Sequence, residues 1–360
     1  MDAVLFRSEL RVLSTLLHEV GDGSIQLPDF QRGWVWPVEN IVALLSSVSL
    51  GYPIGAVMTL ETGGGLRFAE RPVEGVRVPP DTNAKRLILD GQQRLTSLYQ
   101  ALLLNEPIDT QDVKHKKIRA WLYIDINKAV DGGGHREEAI VVLPEDRKIR
   151  TFRGEVIADY STSDAEYAAH LFPASLVFDY EDWGDAYREY DSGNKERWQT
   201  FRKDVLGSFK GFQVPIIELL AKTPRDAICQ IFERVNTGAV ALNVFELLTA
   251  TFAADEFQLR EDWKLRRAEW DDGRHQVIKE VSSTDFLQAL TLLSTSTRRA
   301  EQLAAGKDPK TAPRVGCRRM DMLNLTLEDY KRFAPAVVGG LKRAARFLHK
   351  LSFYDAKFLP

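Results

Sequence analysis

Asp90-Gly91-Gln92-Gln93-Arg94 places a carboxylate, a glycine, two amides and a guanidinium in consecutive positions, directly after the apolar run Leu87-Ile88-Leu89. A strand that ends this way and opens into a helix aims free backbone N–H groups and one cation at the same point, and that arrangement suits a phosphate. Gly91 lets a ligand approach the backbone with no Cβ in the way. Gln92, Gln93 and Arg94 fill a first turn whose amides have no intrahelical partner. Leu95, Leu98, Tyr99 and Leu102 recur at the i, i+3, i+4, i+7 spacing of an amphipathic helix. The pattern therefore predicts a strand over Arg86 to Leu89, Asp90 as N-cap, and a helix in which Arg94 lies beside the buried stripe but off it. The same residues also describe an ordinary capped turn with solvated glutamines.

A second block lies upstream at Ile25 to Pro37, punctuated by Pro28 and Pro37, with Pro37 placed to open a helix over Val38 to Leu50. Phe30, Trp34 and Trp36 around Gln31 and Arg32 form the kind of aromatic and guanidinium surface that stacks bases and grips phosphates. They could equally staple the first helix to a sheet. A third block, Phe232-Glu233-Arg234-Val235-Asn236-Thr237-Gly238, reads by itself as a helix C-cap, with Gly238 at positive φ and Arg234 complementing the helix dipole.

Taken together, P-x-F-Q-R-x-x-x-W, L-D-G-Q-Q-R-L-T-S-L and F-x-R-x-N-x-G resemble the N-terminal domain of GmrSD-type restriction endonucleases, a family with a ParB-like fold. The motifs appear in the family's order between Ile25 and Leu248. The resemblance implies bacterial defence against foreign DNA, often carrying modifications such as glucosylated cytosine or phosphorothioate backbones. It implies nucleoside triphosphate binding and hydrolysis at Asp90 to Arg94, with Asp90, Gln93 and Arg94 as the catalytic set. Gly91, Gln92, Gln31, Arg32, Arg234 and Asn236 are then nucleotide-binding residues. Asp90 would hold Mg²⁺ or position the attacking water, and GTP, ATP or CTP would be the substrate. The P-x-F-Q-R block is implied to line the same cleft or the DNA-sensing surface, which brings in Phe30 and Trp34.

Longer relatives carry a C-terminal nuclease domain with a His-Asn-His metal site, which this sequence does not display. Its six histidines, His18, His115, His135, His170, His275 and His349, are scattered, and no two stand at metal-ligand spacing. The expectation is that the nuclease is a separate protein or that the sequence is a truncated piece of a longer one. Two other readings stay open: a DNA-binding clamp that binds nucleotide without hydrolysing it, and a nicking nuclease in its own right. For the latter the nearest pattern is Asp255 with Asp262 and Lys264, which is compressed and reads as a charged helix face.

With 360 residues, 44% of them hydrophobic, the chain can bury a sizeable core, and its length suggests two domains. The formal net charge of −3 is that of an ordinary soluble protein. No apolar run approaches the roughly 18 residues of a membrane span, and Met1-Asp2-Ala3-Val4 lacks a basic signal-peptide opening. Cys229 and Cys317 form no C-x-x-C pair and suggest free thiols in a reducing cytoplasm. Between Arg298 and Lys350 stand 13 Lys or Arg against 5 Asp or Glu, a basic stretch within the C-terminal third of an otherwise acidic chain. That is a phosphate-backbone footprint or a set of solvated helix faces. The basic loop Lys307 to Arg319 makes Arg314, Arg318 and Arg319 the DNA-binding candidates. The expected partners are double-stranded DNA, modified, and a nuclease domain or protein, with a homo-oligomer left open and no membrane.

These motifs must be positioned by an α+β fold: a ParB-like mixed-sheet domain over 1–220 and a helical domain over 221–360, with the nucleotide in a cleft between them. The elements expected are a helix near Ser8 to Val20, the helix at Val38, strands near Gly55 to Glu61 and Arg86 to Leu89, and the D-G-Q-Q-R helix. Strands at Ile118 to Ile126 and Ala139 to Leu143 follow, then a helical insertion over 159–206 and a strand at Phe212 to Leu219. Leu66 to Ala84 reads as a loop, Asp131-Gly132-Gly133-Gly134 as a turn with no phosphate role, and everything from Arg225 onward as helix.

Overall fold

Residues 5–29, 31, 33–34, 36–64, 68–79, 82–112, 114, 116–131, 136–224, 227–228, 230–231, 244–270 and 275–355 are described by a computed structural model. They form two compact units, one from 1–64 and 70–222 and the other from 65–69 and 223–360. The fold is α+β, and no helix among the described residues is long and apolar enough to cross a membrane.

The first unit runs β1 (Phe6–Val12), α1 (Leu13–Gly21), β2 (Ile25–Pro28), α2 (Val38–Ser49), β3 (Val57–Glu61), β4 (Glu70–Arg71), β5 (Arg86–Asp90) and α3 (Gln92–Leu102). It continues with β6 (Ile108–Gln111), β7 (Lys117–Asp125), α4 (Ile126–Asp131), β8 (Ile140–Pro144), β9 (Lys148–Arg150), β10 (Val156–Asp159), α5 (Ser163–Ala168) and β11 (Leu171–Pro173). α6 (Glu181–Tyr190), α7 (Asn194–Phe201), α8 (Gly207–Gly211) and β12 (Gln213–Leu219) complete it.

A six-stranded sheet carries the D-G-Q-Q-R motif, in the order β1-β12-β3-β5-β2-β4. β5 is internal, so Leu87, Ile88 and Leu89 are all buried, as a strand covered on both faces requires. α1, α2 and α3 contribute Leu16, Leu17, Ile41, Leu45, Leu95 and Leu98 to the same core. In a second sheet β7 is the spine: β6 and β11 pair with its first and last residues and β8 with its middle. β9 and β10 form a separate antiparallel pair.

The expected helix from Ser8 is corrected, because Phe6–Val12 is an edge strand antiparallel to β12 and the helix begins only at Leu13. Pairing with β12 outweighs the helix-like spacing of Leu10, Leu13 and Leu17. The expected loop Leu66 to Ala84 contains β4, paired with β2. The expected insertion is helical apart from β11, which pairs with β7, and the segment 202–206 within it is a π-helix. Pro37 is the N-cap of α2 rather than its first helical residue. Gly132 to Gly134 lie outside the described residues.

The described part of the second unit is helical: α9 (Val244–Ala253), α10 (Leu259–Ala268), α11 (Ser283–Ala304), α12 (Arg319–Leu323) and α13 (Leu327–Lys350). Its core gathers Phe252, Trp263, Trp270, Phe286 and Tyr330. α11 starts on a capping box in which Ser282 and Asp285 satisfy each other's backbone N–H.

Candidate functional site

β5 extends one residue further than its apolar run suggests. Met58 on β3 pairs with Asp90 and the next residue, Thr59, pairs with Ile88, so the register skips Leu89 in a bulge immediately before the motif. Such a bulge bends the strand and re-aims the side chain that follows it. The N-cap of α3 is consequently Gly91 and not Asp90, a correction to the expected cap. Gly91 has φ of 92°, and a Cβ there would sit 2.9 Å from Val57 Cγ2, so both the turn and its packing require glycine.

Released from capping, Asp90 pairs through Oδ2 with Arg94 Nη2 at 3.2 Å, one helical turn on. Arg94 Nη1 donates to the Ile54 carbonyl at 2.6 Å, and a Cβ on Gly55 would lie 2.5 Å from that nitrogen. The Arg94 side chain is 19% exposed and the Asp90 side chain 37%. Arg94 is off the buried stripe, as its position in the sequence predicts. Its fork nevertheless ties α3 to the segment between α2 and β3, so it holds structure as well as offering charge.

The second block comes to the same place. β2 pairs with β5 only at Ile25 with Arg86 and Gln26 with Leu87, and Pro28 then ends the strand. Gln31 takes over: its Nε2 donates to the Ile88 carbonyl at 2.6 Å and to the Leu89 carbonyl at 3.3 Å. A side-chain amide thus stands in for the strand that no longer runs beside β5. Gln31 Oε1 is shielded from solvent and has no partner among the described residues. Gln93 Nε2 donates to the Gly33 carbonyl at 3.4 Å. Trp34 donates from Nε1 to Ser97 Oγ at 3.0 Å, and Ser97 Oγ donates in turn to the Gln93 carbonyl at 2.7 Å. The first two motifs therefore meet around the N-terminus of α3, entirely within the first unit. Phe30, Arg32, Arg234 and Asn236 lie outside the described residues.

Ile54, Gly55, Ser97 and Glu74 take part without having been anticipated. Glu74 Oε1 accepts from the Trp34 backbone N–H and from Arg71 Nη1, both at 3.0 Å. The Pro53-Ile54-Gly55 turn between a helix and a strand, and Ser97 inside the L-D-G-Q-Q-R-L-T-S-L motif, left a trace in the sequence, though not of their partners. Glu74 acts through atoms whose neighbours are set by the fold.

In the second unit Arg314 and Arg318 are exposed, while Arg319 opens α12 half-buried, with Nε and Nη2 shielded from solvent. Several other cations of the basic stretch are occupied. Arg299 donates to the carbonyls of Pro309, Ala312 and Pro313 and so shapes the loop, and Arg298 pairs with Asp329 at 2.8 Å. Asp262 and Lys264 serve different partners: Asp262 accepts from Tyr330 and Arg266, and Lys264 reaches Glu261.

A family model described as the GmrSD restriction endonuclease, N-terminal domain, matches residues 13–253. An uncharacterized protein of Methanocaldococcus jannaschii is 26% identical over 264 residues, which is 70% of this chain and 43% of that protein. The chain thus spans under half the length of this curated relative.

Proposed function

The chain belongs to the GmrSD restriction endonuclease N-terminal domain family, and from that premise we propose that it is the nucleotide-driven sensor of a restriction and defence system. It would bind and hydrolyse a nucleoside triphosphate at the start of α3 and couple that state to recognition of modified duplex DNA, cut by a nuclease domain or partner protein. The observation that supports this reading is the convergence of Gln31, Gly33 and Trp34 on Asp90 to Ser97.

In this reading the phosphates lie over the first turn of α3, where the amides of Gly91, Gln92 and Gln93 face them. Arg94 exchanges the Ile54 carbonyl for a phosphate oxygen and neutralises charge as the β–γ bond breaks. Gln93 orients the water whose oxygen forms the new bond to the γ-phosphorus; the bridging oxygen leaves with the diphosphate, and the proton passes to solvent. Asp90 fits Mg²⁺. It is a single, partly open carboxylate engaged through Oδ2, and no group of three or more His, Cys, Asp or Glu suited to a metal occurs among the described residues. One carboxylate completed by phosphates and water is the usual Mg²⁺ set, and the ion would supply charge neutralisation at the phosphates. In the same reading Arg314 and Arg318, both exposed in the second unit, take DNA phosphates.

A second reading, nucleotide binding without hydrolysis, is favoured by one observation: both ends of the Arg94 fork are already engaged. Phosphate release from each of the four ribonucleoside triphosphates in Mg²⁺, with and without modified duplex, separates the two. Release that rises with modified DNA supports the hydrolase, and binding without release leaves the clamp.

A further inference from the structure

A cleft of about 720 Å³ opens in the first unit beside the motif, walled by Trp34, Trp36, Glu74, Gln100, Thr110 and Arg119. That volume suits a small organic ligand. Its aromatic wall is fixed from behind. The Trp34 indole N–H is committed to Ser97, and Thr110 Oγ1 donates to the Trp36 carbonyl at 2.8 Å. With the polar edge of Trp34 used up, that indole has only its carbon surface left to offer. Among the charged lining groups, Arg77 pairs with Glu106 at 2.9 Å and Arg119 with Asp109 at 3.3 Å. Glu74 is different. Its Oε1 holds Trp34 and Arg71, while Oε2 is shielded from solvent and accepts nothing from the described residues. A carboxylate oxygen without a donor is costly, and the Glu74 side chain, 27% exposed, has to turn this oxygen toward the cleft for a ligand donor to reach it.

We propose that this cleft takes a single unstacked nucleobase bearing an exocyclic amino group, its faces against the indoles of Trp34 and Trp36 and its N–H groups on Glu74, which rests on the DNA-sensing reading above. Adenine, cytosine and guanine each present an amino donor. Thymine offers one ring N–H between two carbonyls, which Glu74 repels. The base can come from a free nucleotide or from a strand, and Lys117 lies within the cleft lining to meet a phosphate in either case.

The test is tryptophan-fluorescence titration of the whole chain with the four deoxynucleoside monophosphates and with short single-stranded homopolymers, alongside duplex binding by gel shift. Preference for amino-bearing bases over thymine by at least about tenfold is the expected result, the size of one charge-assisted hydrogen bond. Glu74→Gln, whose amide can donate, should erase or invert that preference, and Trp36→Leu should weaken every base alike. Preference seen with monophosphates assigns the cleft to a free nucleotide, and preference seen only with homopolymers assigns it to a strand. Equal binding of thymine, or a preference that survives Glu74→Gln, overturns the inference. Duplex binding without any base binding also overturns it while leaving the DNA-sensing reading standing, and loss of both removes the two together. Thermal melts of each variant exclude misfolding, and Trp36→Leu remains a test should Glu74→Gln be unstable.

Discussion

Asp90 and Arg94 hold each other at 3.2 Å across the first turn of α3, the acid at the end of a bulged strand and the base tied by its other nitrogen to the Ile54 carbonyl. Neither residue is a free side chain waiting for substrate. Any phosphate that enters must offer Arg94 more than a backbone carbonyl does, and a charge-assisted contact does so. The pair is therefore a latch that a phosphate at the start of α3 would have to open.

Gln31→Ala should cost about 1–3 kcal/mol, because the Ile88 and Leu89 carbonyls would lose their side-chain donor in a buried setting. Gln31→Glu should be worse at neutral pH, since a carboxylate would face those two oxygens, and should recover partly in acid. Urea unfolding at two pH values reads both effects. A neutral Gln31→Ala would show that β5 is satisfied in some other way.

Glu218, 1% exposed on β12, accepts hydrogen bonds from Arg7 and Arg86. Burial opposes its charged form, but the two guanidinium bonds prevail and hold the carboxyl below its ordinary value of 4.5. A depressed folded value means that this stability is fully present above the ordinary value and is lost as pH falls through the folded one. Glu218→Gln should therefore cost about 3 kcal/mol near neutral pH, and the gap to wild type should shrink in acid. Unfolding free energies across that range check the sign; a gap that widens on acidification would contradict it.

Arg136 is 8% exposed, with Nε and Nη1 buried and without partners among the described residues, and burial pushes its guanidinium down from the ordinary value while Asp204 opposes the shift. An unpaired buried charge is a net cost, so Arg136→Met should raise stability by about 1 kcal/mol or more. A fall in the thermal midpoint would mean that the guanidinium has a partner in solution.

The legible parts of this fold are those decided locally. β5, α3, β7 and β12 follow from apolar runs and helical spacing, and the Gly91 turn follows from Asp-Gly before a polar first turn. β1 escapes such reading because Leu10, Leu13 and Leu17 mimic a helix face, although Leu10 ends 64% exposed on an edge strand. What fixes that segment is pairing with β12, some two hundred residues away in the chain. The same holds at the site. No local pattern shows that Arg94 will find the Ile54 carbonyl, or that Gln31 will replace a strand ended by Pro28. The meeting of the first two motifs was legible only through the family resemblance.

Arg314→Ala with Arg318→Ala should weaken duplex binding about equally on all sequences and flatten its salt dependence by about 0.9 for each DNA phosphate no longer neutralised. Arg319→Ala should add little to this and instead lower stability, because its guanidinium is partly shielded. Binding isotherms at several salt concentrations decide it. A loss confined to modified DNA would move the sensor into this loop.

The most direct measurement is the unfolding free energy of the chain in Mg²⁺ with each triphosphate in turn. At about 100 times its dissociation constant, at least one should stabilise the wild type by about 2.7 kcal/mol. Asp90→Asn combined with Arg94→Met should abolish that gain, after correction for the stability the variant loses without nucleotide. No gain with any triphosphate, or a gain that survives the double substitution, would contradict a nucleotide site at the start of α3.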